Sequence, residues 1–278
     1  MTSIQIQLVF FWLAEVFCVL STFGYLASFS FKQEKFLRVG TNFAVLAAFP
    51  MLAALLLRWQ ETNHIPSVGS YEVYTVYSWG ILVFYLLVQF WKKSAQVAGA
   101  FVLPVVLLMT GVGLMGSTEV TSLPSTYYTY WLWIHMAFAT LALGGVLTSA
   151  GLSLIYVLKV RQERQGQMNP MFERLPSLNQ LDALSYRFTL FAFGMMGIMI
   201  ASGAIWAYRS WGRYWGWDPI ETWSLICWLV YGIYLHLRGS GLKGEKAAWV
   251  YFLVIGLAVF SFFGAPYLYP TIHDRFVN

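Results

Sequence analysis

The chain is short of charge. Lys, Arg, Asp and Glu together make up 10% of its 278 residues, 17 basic against 12 acidic, where soluble domains carry roughly 25%. So few charges cannot cover a water-facing surface, which excludes an ordinary soluble domain. The apolar content excludes a disordered chain. Cysteine is scarce too: Cys18 and Cys227 both lie in apolar runs, which excludes a disulfide scaffold. There is no Gly-rich phosphate loop, no metalloprotease histidine pair and no nucleophile beside a base, so phosphoryl-transfer and hydrolytic chemistries fall away, and no site for a bare metal ion is expected. No internal repeat or low-complexity tract is found, which counts against a repeat-built transporter.

What the chain has instead is apolar length. Hydrophobic residues make up 59% and aromatic ones 19%, with a mean hydropathy of +0.62. Eight windows reach the roughly 20 residues a spanning helix needs: 6–30, 38–58, 72–91, 94–115, 131–158, 188–208, 222–238 and 247–268. None alternates like a strand, so the expected fold is all-α, a polytopic membrane protein of one domain over 1–278. The longest polar link runs from Lys159 to Arg187.

Orientation follows from the basic residues. One set of loops carries Lys32, Lys35, Arg38, Lys92, Lys93, Lys159, Arg161, Arg164, Arg174, Arg187, Arg238, Lys243 and Lys246; the other carries only Arg58, Arg209, Arg213 and Arg275. The sets alternate without exception across eight spans, so both termini and the loops near 59–71, 116–130 and 209–221 are expected on the outer side. The net charge of +5 is thereby a topology signal and does not point to nucleic acid. The N-terminus lacks a basic leader region and its apolar run is too long for a signal peptide, so the first span is expected to stay.

The external loop at about 206–228 holds six of the thirteen tryptophans: Trp206, Trp211, Trp215, Trp217, Trp223 and Trp228. An interfacial belt explains one or two at a span end. It does not explain this density interleaved with Tyr214, Gly212, Gly216 and an Asp218-Pro219 turn. Glycine admits close backbone approach and aromatic faces stack, which suggests a pocket for a planar apolar ligand.

Four histidines divide by depth. His135 lies about 6 Å into the fifth span and His273 follows the last span, both on the outer side; His64 sits in the outer loop NHIPSVGSYE. His236 falls fifteen residues after Glu221, roughly 22 Å deeper. Neutral imidazole is a common axial ligand of haem iron. His135 and His273 are therefore expected to grip one haem from its two faces, the aromatic loop cradling its edge. The alternative makes His135 an interfacial hydrogen-bonder and His273 a tail residue. His236 is too deep to share that iron and implies a second, inner haem position or a helix-packing role. His64, Glu72 and the intramembrane Glu15 remain without an assigned role. Asp218 suits a helix cap or a tie to Arg209 or Arg213, and those two arginines suit haem propionates.

The segment WGRYWGWDPIETW resembles the tryptophan-rich "WWD" signature of haem-handling proteins in cytochrome c maturation. The continuation SLICWLVYGIYLHLR and the upstream LDALSYR are similar to the System II membrane subunit, the CcsA/ResC family. Ile220 stands where that family usually has Lys, and His273 lies in Thr-Ile-His-Asp-Arg where a Gly-x-His-Ser-Tyr context is usual. The resemblance implies His135 and His273 as the outer axial pair and haem b as bound substrate. Its implied site extends over Trp206, Trp211, Gly212, Tyr214, Trp215, Gly216, Trp217, Asp218, Pro219, Glu221 and Trp223. It also implies a CcsB/ResB-type partner subunit that completes the inner site, and a thiol-reducing protein. The activity implied is that of a holocytochrome c synthase subunit, which attaches haem to the CxxCH of apocytochrome c at a bacterial cytoplasmic or thylakoid membrane. The chain has no CxxCH of its own, so it is not the client. A System I-like haem handler and a b-type electron-transfer subunit are the competing expectations.

Overall fold

A computed structural model describes residues 3–120, 123, 127–166 and 168–272. Among the described residues there is helix and no strand, and eight helical stretches are long and apolar enough to cross a membrane. They coincide with the eight expected windows. The first two, α1 (Ser3–Ser30) and α2 (Glu34–Thr62), form a hairpin whose helices meet through glycine. A Cβ on Gly24 would lie 2.7 Å from the Gly40 backbone. Ser21 Oγ donates to the Gly40 carbonyl at 2.7 Å, and such small-residue contacts are what hold helices together in lipid. Next come α3 (Gly69–Trp91), a 3-10 turn over Lys93–Ala98 and α4 (Gly99–Leu114).

The centre of the bundle is α5 (Tyr130–Arg164), whose spanning window is 72% buried against 17% for α8 (Pro219–Gly239). Every residue from Leu143 to Ser153 is buried, so the helix has no lipid-facing side there. It runs against α7 (Leu178–Trp211) through Ser149, whose hydroxyl meets Ser185 Oγ at 3.0 Å and Thr189 Oγ1 at 2.8 Å. Between them lies a short α6 (Pro170–Arg174) capped by the Asn169 side chain. After α8 come α9 (Gly244–Val259), a π-helical turn over Phe260–Gly264 and α10 (Ala265–Leu268). Pro266 accounts for the π turn: it lacks the N–H that would close a regular turn and its ring crowds the preceding one.

The polar link expected over Lys159–Arg187 is mostly helix. α5 continues to Arg164 and α7 begins at Leu178, giving rods of 35 and 34 residues, about 50 Å each. Hydropathy marks only the part of a helix that lies in hydrocarbon; backbone bonding carries it further. This basic end is held by polar pairs. Lys159 Nζ donates to the carbonyls of Leu175 and Pro176, and Arg238 forks onto Asp182 at 2.7 and 2.9 Å.

Candidate functional site

A cavity opens at the other end of the bundle, walled by α3, α5, α7, α8, the π turn and α10. It is open at its mouth, and the empty space within and in front of it amounts to about 1290 Å³. Its lining is chiefly aromatic and aliphatic, with Leu132, Met136 and Met199 below and Trp206, Trp215, Phe262 and Phe263 around the sides. Tyr74 closes one edge, its hydroxyl 3.2 Å from that of Tyr267.

His135 lies in this wall. Its Nδ1 stands 2.8 Å from the Met199 carbonyl oxygen. A carbonyl only accepts, so Nδ1 carries the proton and Nε2 is the nitrogen with the lone pair. Metal-binding imidazoles are oriented in this way, by donating the opposite N–H to a carbonyl or carboxylate. Two features of α7 hold the ring. The Trp206 indole stacks over it at 6.3 Å and 26°. Gly203 leaves the space it occupies, since a Cβ there would come within 2.7 Å of Nδ1. Neither Met199 nor Gly203 was expected from sequence. A backbone carbonyl has no residue signature, and one glycine among 23 carries no flag.

The loop between α7 and α8 divides its tryptophans by job. Trp206 and Trp215 line the cavity, joined there by Tyr214, which stacks on Tyr208 at 4.4 Å. Trp211 meets Trp206 edge-on at 5.0 Å and so backs the wall. Trp223 packs on Phe260 and Trp228 lies flat on Phe193 at 4.9 Å, both as helix-packing groups. Trp217 is 70% exposed and holds φ +57, a left-handed conformation that bulky residues adopt only when their surroundings impose it. Gly212 ends α7 with φ +78. Gly216 makes room for the Arg213 guanidinium, whose Cζ a Cβ would approach to 2.6 Å. Arg209 and Arg213 are exposed at this rim and form no ion pair among the described residues.

Asp218 and Glu221 build the start of α8, with Pro219 as its first residue. Asp218 Oδ1 accepts from Ile220 N at 3.0 Å. Glu221 Oε2 accepts from Asp218 N at 3.2 Å and from Gly216 N at 2.7 Å, closing the capping box and pinning the loop. Asp218 is thus the helix cap that was one of its two expected uses. It also accepts from Thr271 Oγ1 at 2.8 Å and from Ile272 N at 3.0 Å, tying the chain after α10 to the same point.

The remaining candidates stand elsewhere. His273 lies outside the described residues. His236 is in the last turn of α8 on its exposed side, beside Ile233 and Leu237. His64 is buried in the loop before α3, its Nδ1 donating to Ile65 O at 3.0 Å, and is not part of the cavity wall. Glu72 is structural. Its Oε1 accepts from Arg58 Nε at 2.7 Å and its Oε2 from Ser67 N and Val68 N, while Arg58 also donates to the carbonyls of Thr118 and Glu119. Glu15 is buried beside a separate groove between α1 and α4.

The fold and the cavity define a helical multi-pass membrane protein with an aromatic-walled chamber at one end of its bundle. The family described as "Cytochrome C assembly protein" matches residues 67–273. The chain belongs to that family. It is 33% identical over 247 residues to the cytochrome c biogenesis protein CcsA of Parasynechococcus marenigrum, covering 78% of each chain. With the CcsA of Guillardia theta it shares 26% identity over 98% of its own length and 92% of the relative's. Against the CcsA of Chlamydomonas reinhardtii it is 29% identical and spans 64% of that relative's length. Among solved structures, the cytochrome c haem lyase CcmF superposes with a TM-score of 0.69 over 99% of this chain and 49% of its own, at 18% identity. That likeness is one of fold.

Proposed function

We propose that the chain binds haem b in the cavity and presents it for covalent attachment to the CxxCH of apocytochrome c, as the CcsA-type subunit of a System II synthase. The observation that carries this is His135: an imidazole in an aromatic chamber, its Nδ1–H committed to the Met199 carbonyl. The chamber fits the group in the chemistry of its lining: aromatic side chains flank it, and a Cβ at Gly203 would come within 2.7 Å of the ligand ring.

In this reading His135, through Nε2, and His273 would be the residues that hold the iron. Trp206 and Trp215 flank the porphyrin, and Arg213 and Arg209 at the rim meet its propionates. Haem is the substrate. Each client cysteine adds its S–H across a vinyl group, sulfur bonding the carbon next to the ring and hydrogen the terminal carbon. The chain contributes proximity and orientation by holding the vinyl edge toward the mouth, and the client's histidine replaces one axial imidazole. A CcsB/ResB-type subunit supplies a second histidine opposite His236, and a thiol-reducing protein keeps the client cysteines available. The surroundings are a bacterial cytoplasmic or thylakoid membrane, with the cavity on the outer side.

The test is the absorption spectrum of the chain purified with its partner, as wild type and as His135→Ala, His273→Ala, His236→Ala and His64→Ala. A bis-imidazole spectrum lost in the first two variants and kept in the last is expected. A colourless wild type under ample haem supply would overturn the reading.

A further inference from the structure

Glu15 takes no part in the cavity. It lines a groove between α1 and α4 together with Trp12, Val16, Leu20, Gly111 and Leu114. It is 7% exposed, and its Oε1 has no hydrogen-bond partner among the described residues. The Thr110 hydroxyl stands beside the carboxyl on α4 but is directed at the carbonyls of Val106 and Leu107, both at 3.0 Å. A bare acceptor in an apolar interior is unfavourable, and a carboxyl inside a membrane marks a functional position by default. At 1.5 Å per residue, Glu15 lies about 18 Å from one end of α1 and about 22 Å from the other. That is close to mid-bilayer, out of reach of phospholipid headgroups and of water-soluble molecules.

An occupant of the groove is therefore soluble in lipid and carries a hydrogen-bond donor. Gly111 decides between a small molecule and a helix of another protein. A Cβ there would meet no atom within 4 Å, so this glycine is the recess, while Leu107, Leu114 and Met115 beside it are large. Helices approach one another in lipid along rows of small residues. A single glycine among large side chains admits a slim ring and not a helix backbone. Trp12, 58% exposed at the edge, offers that ring a flat face. We propose that the groove binds a lipid-soluble phenol or hydroquinone. Its ring enters the recess at Gly111 beside Trp12, its hydroxyl donates to Glu15 Oε1, and its hydrocarbon tail runs along Val16 and Leu20. The site stands apart from the proposed haem function: α1 precedes the residues 67–273 matched by the family, and no residue lines both groove and cavity.

The probe is tritiated para-dodecylphenol, added to the full chain in phosphatidylcholine nanodiscs. Its methyl ether has the same ring and tail but no donor. Saturable binding of the phenol at one site per chain is expected, with the ether about tenfold weaker. Glu15→Leu is expected to weaken the phenol about tenfold and leave the ether as it was, so that the two bind alike. Glu15→Gln keeps an acceptor oxygen and restores the preference. Gly111→Leu fills the recess and abolishes binding of both, without crowding any neighbour in the empty groove. A Tm in detergent equal to wild type confirms that the variants fold. The measurement needs no haem, so a failure of the haem reading leaves it intact. Absence of saturable binding, equal binding of phenol and ether by wild type, or a preference that survives Glu15→Leu overturns the proposal. So does a cysteine at Val16 that cross-links to another polypeptide in native membranes, which gives the groove to a partner's helix.

Discussion

At the scale of single residues, space around His135 is set by what α7 leaves out. Gly203→Ala puts a methyl 2.7 Å from Nδ1, and the ring must turn or the Met199 bond must break. Haem retention is expected to fall by about tenfold with the protein still folded, since one lost hydrogen bond of this kind is worth about 1 kcal/mol and the iron bond suffers with it. Titrating haem into the purified variant checks this; an affinity equal to wild type would show that the ring does not need this slot. Glu72→Gln addresses a different property. The Arg58 guanidinium is 3% exposed and the Glu72 carboxylate 1%, so neutralising one leaves the other buried and unbalanced, at about 3–5 kcal/mol. A clear drop in Tm in detergent with no change in the haem spectrum of the surviving fraction is expected. His135 was legible in the sequence because histidine in an apolar span is rare and costly. Which tryptophans line a cavity and which pack helices was not, because an indole suits both, and only the helix phase and the partner ring decide between Trp215 and Trp228.

Among the elements, α8 is the least enclosed. Its outward stripe carries Leu229, Ile233, His236 and Leu237 at helical spacing, against the cavity-side Ile220, Glu221 and Ser224 at its start. With a CcsB-type partner beside this stripe, cysteines at Leu229 and Ile233 are expected to cross-link to it, while a cysteine at the buried Tyr231 is not. Labelling that ignores the partner would place the partner elsewhere. The spans themselves were readable because about twenty apolar residues in a row leave few alternatives. The π turn was not readable. Its cause is one proline in a sequence that also bears Pro50 and Pro104 inside helices without such a turn, so the outcome depends on what packs there, here Trp223 on Phe260.

For the whole molecule, the distribution of Lys and Arg makes a prediction independent of haem. Reporter fusions after residue 65 and at both termini are expected to report the outer side, and fusions in 165–177 and at 240–243 the inner side. An inverted pattern would put the cavity on the wrong face for cytochrome maturation. The sequence supports an expectation of this kind more readily than it does any single contact, because charge asymmetry is summed over many loops while a contact depends on one pair. Asp218 shows the difference. Its helix cap follows from local sequence, but its hold on Thr271 joins positions 53 residues apart, and nothing in either neighbourhood announces the other.

The pairing of α5 with α7 has a mechanical consequence. Neither helix contains a proline between Tyr130 and Arg164 or between Leu178 and Trp211, and the two are bolted together by hydroxyls midway along. They behave as a single beam that is stiffer than either member. His135 and the carbonyl that orients it sit on facing members of that beam, so tilting or a thinner bilayer carries both together and leaves their 2.8 Å separation unchanged.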